Sequence, residues 1–152
     1  MTGFPSVANA VAVADPDAPT HWLKPTAAGA LPSSPTQISA GLTSTTGTIA
    51  LNASLSGAIA IGNTTPVALI MPAAWTAAGL TLQASVDGVA YNDVYDQYGN
   101  EVTLTVSTSR HVLLDPSVLV GMTHVKLRSG TAGVPVVQLA ARVLTLISRG
   151  LA

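Results

Sequence analysis

The longest uncharged stretch of this chain, residues 25 to 86, contains no Asp, Glu, Lys or Arg. The 152 residues hold only six Lys and Arg and seven Asp and Glu, or 9%, whereas soluble proteins average about 25%. A membrane-spanning helix needs about 20 mostly apolar residues, but Ser, Thr, Asn, Gly and Pro interrupt every candidate, and the best one, residues 67–71, stops at Pro72. We therefore expect no membrane insertion, and an uncharged surface that is buried in an assembly.

Charge, cysteine content and the N-terminus exclude further classes of protein. The formal net charge is -1 and the pI about 6.2, so the sequence has no electrostatic footprint for nucleic acid. The chain has no cysteine, which excludes disulfides, thiolate metal sites and thiol catalysis. No Lys or Arg precedes Lys24 and no apolar signal region follows the first residues, so we expect synthesis in the cytoplasm without a signal peptide.

The chain divides by composition into residues 1–46 and residues 47–152. Residues 1–46 hold six of the ten prolines, which prevents a continuous helix or strand ladder. This part is either a flexible tail or an extended arm that lies on a neighbouring subunit. Phe4, Trp22 and Leu23 are candidate anchors of such an arm, because disordered tails are usually poorer in apolar residues.

From residue 48 onward the apolar pattern repeats every two residues, and Gly or Asn bounds each run. Asp87 and Gly88 predict a hairpin turn between strands over residues 80–86 and 90–95. Short helical turns are expected over residues 73–78 and 117–120. A strand over residues 123–129 places His124, Lys126 and Arg128 on one face, and a strand over residues 135–147 places Val137 and Leu139 opposite Gln138. Eight or nine short strands with Gly turns predict an all-β protein, an antiparallel β-sandwich of jelly-roll type with a proline-rich N-terminal arm.

Nothing in the spacing of residues predicts catalysis. The nucleophile-elbow, Walker and dinucleotide-binding motifs are absent, and no two of the three histidines have the i,i+4 spacing of a helical zinc site. We therefore expect no enzyme and no catalytic residue.

Two local clusters are candidate binding sites. Four of the seven acids, Asp87, Asp93, Asp96 and Glu101, fall within residues 87–101, and their oxygens would either bind calcium or serve as turn and strand-surface residues. Tyr91, Tyr95 and Tyr98 would either stack on a sugar ring or cover the edge of the core. No other cofactor is expected.

The order of several segments resembles a family of small structural proteins encoded by tailed phages, prophages and gene transfer agents, of the head-decoration, spike or fibre-base class. The resemblance spans residues 71–147 and is carried by Met71-Pro72-Ala73-Ala74-Trp75, Leu80-Thr81-Leu82-Gln83-Ala84-Ser85-Val86-Asp87-Gly88, Asp93-Val94-Tyr95-Asp96, Gly99-Asn100-Glu101-Val102 and Val125-Lys126-Leu127-Arg128-Ser129-Gly130. It implies β-sandwich domains, symmetric oligomers, and N-terminal segments that attach to the particle.

The resulting hypothesis is a non-enzymatic virion subunit whose partners are further copies of itself and capsid or portal-proximal proteins. Residues 36–71 would line the subunit interface, because interface cores are depleted in charge, and residues 87–101 would face solvent. The alternative is a carbohydrate-binding or adhesin module that contacts host surface glycans through the three tyrosines.

Overall fold

The computed structural model describes residues 41–150, and in this part of the chain nine β-strands form two antiparallel sheets. The strands are β1 (Leu42–Ile49), β2 (Ile59–Ala60), β3 (Thr64–Ile70), β4 (Leu80–Ser85), β5 (Asn92–Asp93), β6 (Thr103–Leu104), β7 (His111–Leu113), β8 (His124–Ser129) and β9 (Arg142–Gly150). One turn of 3-10 helix, Pro116–Leu119, lies between β7 and β8. The protein is therefore all-β with antiparallel sheets, as its sequence predicts.

Strands that are distant in the sequence are neighbours in both sheets. The first sheet has the order β1-β9-β3-β7, and the second has the order β2-β8-β4-β5, with β6 also paired to β4. β1 pairs with β9 along its whole length, from Leu42 opposite Arg149 to Ile49 opposite Arg142. The first sheet therefore forms only when the two ends of the described chain come together.

The core lies between the two sheets and is built from alternate residues of their strands. Because side chains alternate across a strand, one face of each sheet supplies apolar residues to the core. The first sheet contributes Ile49, Leu69, Leu144 and Leu146, and the second contributes Ile59, Leu80, Leu82, Ala84, Val125 and Leu127. This arrangement is a β-sandwich, and it explains part of the uncharged stretch, since four of its strands line the core.

Several local predictions are confirmed. β4 and β5 form the antiparallel hairpin around Asp87 and Gly88, with Gln83 opposite Asp93, and Gly88 has a φ of 74°. In β8, Val125 and Leu127 are fully buried while His124 and Lys126 lie on the opposite face. Within residues 41–150, no helix is long and apolar enough to cross a membrane.

The helical turn predicted for residues 73–78 is wrong. The backbone of Thr76 bonds to the side chain of Gln138: Thr76 N donates to Oε1 at 2.9 Å and Nε2 donates to Thr76 O at 3.2 Å. Trp75 Nε1 donates to Ala78 O at 3.1 Å. These bonds hold the segment as an irregular loop, because Gln138 occupies backbone groups that a helix would use.

The strand predicted for residues 135–147 is also different in the structure. β9 begins only at Arg142 and continues to Gly150, and residues 136–141 are irregular. Gln138, expected opposite the apolar face, is fully buried, whereas Val137 and Leu139 are exposed. The reason is that the Gln138 amide is satisfied inside the fold, by Thr76 and by Ser129 Oγ at 2.7 Å.

The first strand starts earlier than the composition indicates. β1 begins at Leu42, so residues 42–46, assigned by composition to the N-terminal arm, are part of the first sheet. Phe4, Trp22 and Leu23, the candidate anchors of that arm, lie outside the described residues.

Candidate functional site

Three charged side chains meet on the outer face of the second sheet. Arg128 of β8 is buried against two carboxylates: its Nη2 lies 2.5 Å from Asp93 Oδ1 and its Nη1 lies 3.3 Å from Glu101 Oε1. Glu101 also accepts from Ala132 N at 2.9 Å. Arg128 therefore joins β5 to Glu101, which precedes β6 and itself binds the turn after β8. Arg128 thus has a structural role rather than that of an accessible cation.

The carboxylate of Asp93 has a lowered pKa. Burial by itself raises this pKa, but the hydrogen bonds donated by Gln83 and Arg128, and the charge of Arg128, outweigh burial and lower it from 3.8. Gln83 Nε2 lies 3.0 Å from Asp93 Oδ1. The ionised form of Asp93 is thus the form that stabilises this face of the sheet.

The other two acids of the cluster organise turns. Asp87 Oδ1 accepts from Val89 N at 2.8 Å, from Ala90 N at 3.0 Å and from Ser85 Oγ at 2.8 Å, and these bonds lower its pKa. Asp96 Oδ1 accepts from Asn100 N at 2.9 Å and from Tyr98 N at 2.8 Å, and the bonds from Asn100 are the largest cause of its lowered pKa. Both side chains are occupied by the backbone of their own loop.

These partners bear on the calcium hypothesis. Asp93 and Glu101 converge, but on Arg128, while Asp87 and Asp96 each serve a separate turn. In the part of the chain that the structure describes, no group of three or more His, Asp or Glu side chains could hold a metal ion. The turn and strand-surface interpretation of these four acids therefore accounts for every one of them.

The three tyrosines divide into two groups. Lys126 Nζ lies 3.9 Å from the centroid of the Tyr91 ring, a cation–π contact, and the Tyr91 hydroxyl is buried with no hydrogen-bond partner among residues 41–150. Tyr95 and Tyr98 are instead exposed, by 53% and 80%. Tyr91 thus belongs to the sheet surface, and Tyr95 and Tyr98 are the aromatic rings available to a ligand.

Tyr95 and Tyr98 line an open cleft of about 520 Å³ between the loop before β6 and the 3-10 turn. Polar side chains share the lining: Asp96, Gln97, Asp115 and Ser117. Asp115 Oδ1 accepts from Ser117 N at 2.9 Å and from Ser117 Oγ at 2.7 Å, so its carboxylate caps the 3-10 turn. Exposed aromatic faces beside amide and carboxylate oxygens can stack on and hydrogen-bond to a polyhydroxylated ligand.

Three of the nine residues that line this cleft, Asp115, Ser117 and Val118, lie in a segment that the sequence does not predict to be part of a site. Asp115 and Ser117 are separated from Tyr98 in sequence, and their only sequence signal is the Asp-Pro start of a helical turn. That signal identifies a cap and carries no information about which loop the cap faces.

The described histidines and the described part of the predicted interface segment are not part of this cleft. Among residues 41–150, neither His111 nor His124 contacts a carboxylate, and His124 Nδ1 lies 2.9 Å from Thr123 Oγ1. Of the segment 36–71, residues 36–40 lie outside the described residues, while Ile49, Ile59 and Leu69 point into the core.

Comparisons with protein-family models, with curated proteins and with solved structures find no match.

Acid should destabilise the domain. Asp87, Asp93, Asp96 and Asp115 have lowered pKa values in the folded state, so below about pH 4 the unfolded chain binds more protons than the folded one. We expect the free energy of unfolding, measured by urea titration, to stay level from about pH 7 to 5 and to fall below about pH 4.

The substitution Asp93→Asn tests how much one carboxylate contributes to the loss of stability in acid. The variant should be less stable than the parent at neutral pH, because it no longer pairs with Arg128. The difference should shrink as the pH drops through the folded-state pKa of Asp93. Two stability curves that stay parallel down to acid pH would contradict the assignment.

Proposed function

We propose that this chain is a non-enzymatic structural subunit of a phage or phage-like particle, either a capsid decoration, a head spike or a fibre base. In this proposal the subunit forms a symmetric oligomer and docks through its N-terminal arm to capsid or portal-proximal proteins. It reaches the virion after synthesis in the host cytoplasm.

We infer further that the β-sandwich is a jelly roll, and the nesting of its strand pairs supports this most strongly. β1 pairs with β9, β2 with β8, β3 with β7 and β4 with β5. Such nested pairs correspond to one long hairpin that is rolled into two sheets. Jelly rolls are the architecture of many viral capsid domains and of many lectins, and since fold does not determine function, surface features must decide between these.

The outer face of the first sheet favours the assembly role. By strand register this face carries Ser44, Thr46 and Thr48 from β1, Val143, Thr145, Ile147 and Arg149 from β9, Ala68 and Ile70 from β3, and His111 and Leu113 from β7. Arg149 is the only Lys, Arg, Asp or Glu among these residues. Leu113 is 80% exposed and Val143 51% exposed. The solvent-exposed face of an antiparallel sheet normally carries polar residues. Faces that are poor in charged residues are instead typical of interface cores.

Light scattering during gel filtration tests the assembly role. We expect the full chain to run as a defined oligomer, and a variant that begins at Gly41, which keeps all of β1, to lose docking to the particle. A full chain that remains a monomer at every concentration would contradict the proposal.

The second candidate function is glycan binding, and the exposed pair Tyr95 and Tyr98 favours it. If the cleft binds a host surface glycan, Tyr98→Ala should weaken retention on a glycan array by roughly fivefold, because one aromatic stacking contact contributes about 1 kcal/mol. Tyr91→Ala is the matched control, since Tyr91 packs on Lys126 and should leave retention unchanged. Equal losses in the two variants would argue against a site in this cleft.

A further inference from the structure

The four outer edges of the two sheets are very unequal. Three edge strands are short: β7 has three residues, and β2 and β5 have two each. β1 has eight residues, all paired with β9 on one side. Among residues 41–150, the other side of β1 carries one isolated bridge, from Ile49 to Ser56, and residues 42–48 have no strand partner there. This side presents a long row of backbone donors and acceptors.

β1 also lacks every feature that usually protects an edge strand. Natural sheets blunt their edges with short strands, charged residues, proline or bulges. The sequence of β1, Leu-Thr-Ser-Thr-Thr-Gly-Thr-Ile, has no charge and no proline, and its register with β9 is unbroken. β5, in contrast, ends at Asp93, and β2 is followed by Gly62, which has a φ of 53°. An edge left open in this way is suited to pairing with another strand.

We propose that β1 pairs antiparallel with β1 of a second copy, so that two four-stranded sheets join into one sheet of eight strands. This inference rests on the proposed assembly function and names the interface through which two subunits meet. The pairing relates the two copies by a twofold axis perpendicular to the sheet.

Strand length identifies the second copy as the occupant. β7, β2 and β5 would leave most of the free β1 edge unpaired, whereas another β1 is long enough to match residues 42–48. The distribution of charge also favours a second copy. β1 contains no charged residue, and the two charged residues of the neighbouring β9, Arg142 and Arg149, lie near the ends of that strand. Two copies can therefore approach along the middle of the edge without repulsion.

The faces of the sheet restrict the register of this pairing. Opposed residues of an antiparallel pair lie on the same face, so the axis must pass through a residue position rather than between two. An axis at Thr46 places Ser44 opposite Thr48 of the partner on the exposed face, and an axis at Thr45 places Ser44 opposite Thr46. Both registers oppose hydroxyl side chains, which is a favourable cross-strand combination.

A twofold interface also restricts the stoichiometry. Every subunit that uses its β1 edge in this way has one reciprocal partner, so the assembly contains an even number of copies. A dimer or a dihedral oligomer fits this requirement, and a lone threefold ring does not.

Cysteine cross-linking on the full chain tests the pairing, because the protein has no cysteine of its own. Thr45→Cys and Thr46→Cys each place one thiol near the axis, where opposed Cα atoms lie within disulfide distance. Leu113→Cys is the matched control, on the same sheet but on β7 at the far edge. Under mild oxidation we expect one of the two β1 variants to form on the order of tenfold more covalent dimer than the control, since only closely opposed thiols couple efficiently.

A charge variant provides a second measurement. Thr46→Lys places two like charges near each other across the axis, and we expect the dimer dissociation constant to rise roughly fivefold to tenfold. Leu113→Lys should leave it unchanged. Both positions are exposed, so neither variant should unfold the domain.

The outcomes separate this inference from the proposed function. An oligomer of even order with selective cross-linking at Thr45 or Thr46 supports the edge pairing. An oligomer that cross-links at neither position, that couples equally through Leu113→Cys, or that has an odd number of copies overturns the edge pairing and leaves the assembly function in place. A chain that is monomeric at every concentration overturns both.

Discussion

Gly130→Ala is expected to destabilise the domain by about 4 kcal/mol or more, from backbone strain and from overpacking together. Gly130 has a φ of 85°, a conformation that L side chains rarely adopt. A Cβ there would also meet the backbone of the turn after β8, at Val134 O and Val136 N. Because these are main-chain atoms rather than the end of a flexible side chain, the turn itself must move. Urea unfolding monitored by circular dichroism measures the loss as a lower transition midpoint.

Gly99→Ala separates the two causes. Gly99 has nearly the same φ, 84°, but a Cβ there would meet no atom within 4 Å. Its substitution should cost only about 1 to 2 kcal/mol, the intrinsic penalty of a left-handed conformation. If Gly99→Ala and Gly130→Ala destabilised the domain equally, the contact with the turn backbone would have no energetic weight.

Gln138→Ala is expected to destabilise the domain by about 3 kcal/mol, because it leaves buried polar groups without partners and creates a small cavity. The Gln138 side chain is fully buried. Its amide bonds to Thr76 N, Thr76 O and Ser129 Oγ. The substitution therefore releases the loop before β4 from the last irregular segment before β9.

Gln97→Ala is the matched control for this prediction. Gln97 is exposed at the rim of the cleft, so its substitution should change the free energy of unfolding by less than about 0.5 kcal/mol. Thermal and urea unfolding of both variants, with near-ultraviolet circular dichroism of the Trp75 region, measures the difference. A Gln138→Ala variant as stable as Gln97→Ala would show that water replaces the amide at no cost.

The sequence predicts well those elements whose pattern is local. The alternation in β8 and the turn at Asp87 and Gly88 depend on neighbouring residues, and both agree with the structure. An all-β antiparallel sandwich follows from many such short runs.

The predictions that were wrong concern residues whose partners are distant in the sequence. Gln138 resembles a surface residue of a strand, and only its contact with Thr76, 62 residues away, makes it a core residue. The same contact prevents the helical turn that the alanines and Trp75 predict. A local sequence pattern cannot predict this contact, because the contact forms only when the loop before β4 meets the segment before β9.

The candidate site shows the same division. The acidic cluster was recognised from sequence, but its partner Arg128 lies on β8, and that pairing gives Asp93 and Glu101 a structural role. The sequence groups Tyr91, Tyr95 and Tyr98 as one candidate set, whereas the contact with Lys126 separates Tyr91 from Tyr95 and Tyr98.

The central position of β9 in the first sheet also affects how the protein is made. β9 lies between β1 and β3, and Thr43 contacts Ser148, 105 residues further along the chain. Folding that depends on such distant pairing is slow, and a ribosome delivers the chain at only about 5 to 20 residues per second. β1 consequently has no sheet partner until almost the entire domain has been synthesised, so the nascent chain passes through a period in which its apolar strands are exposed.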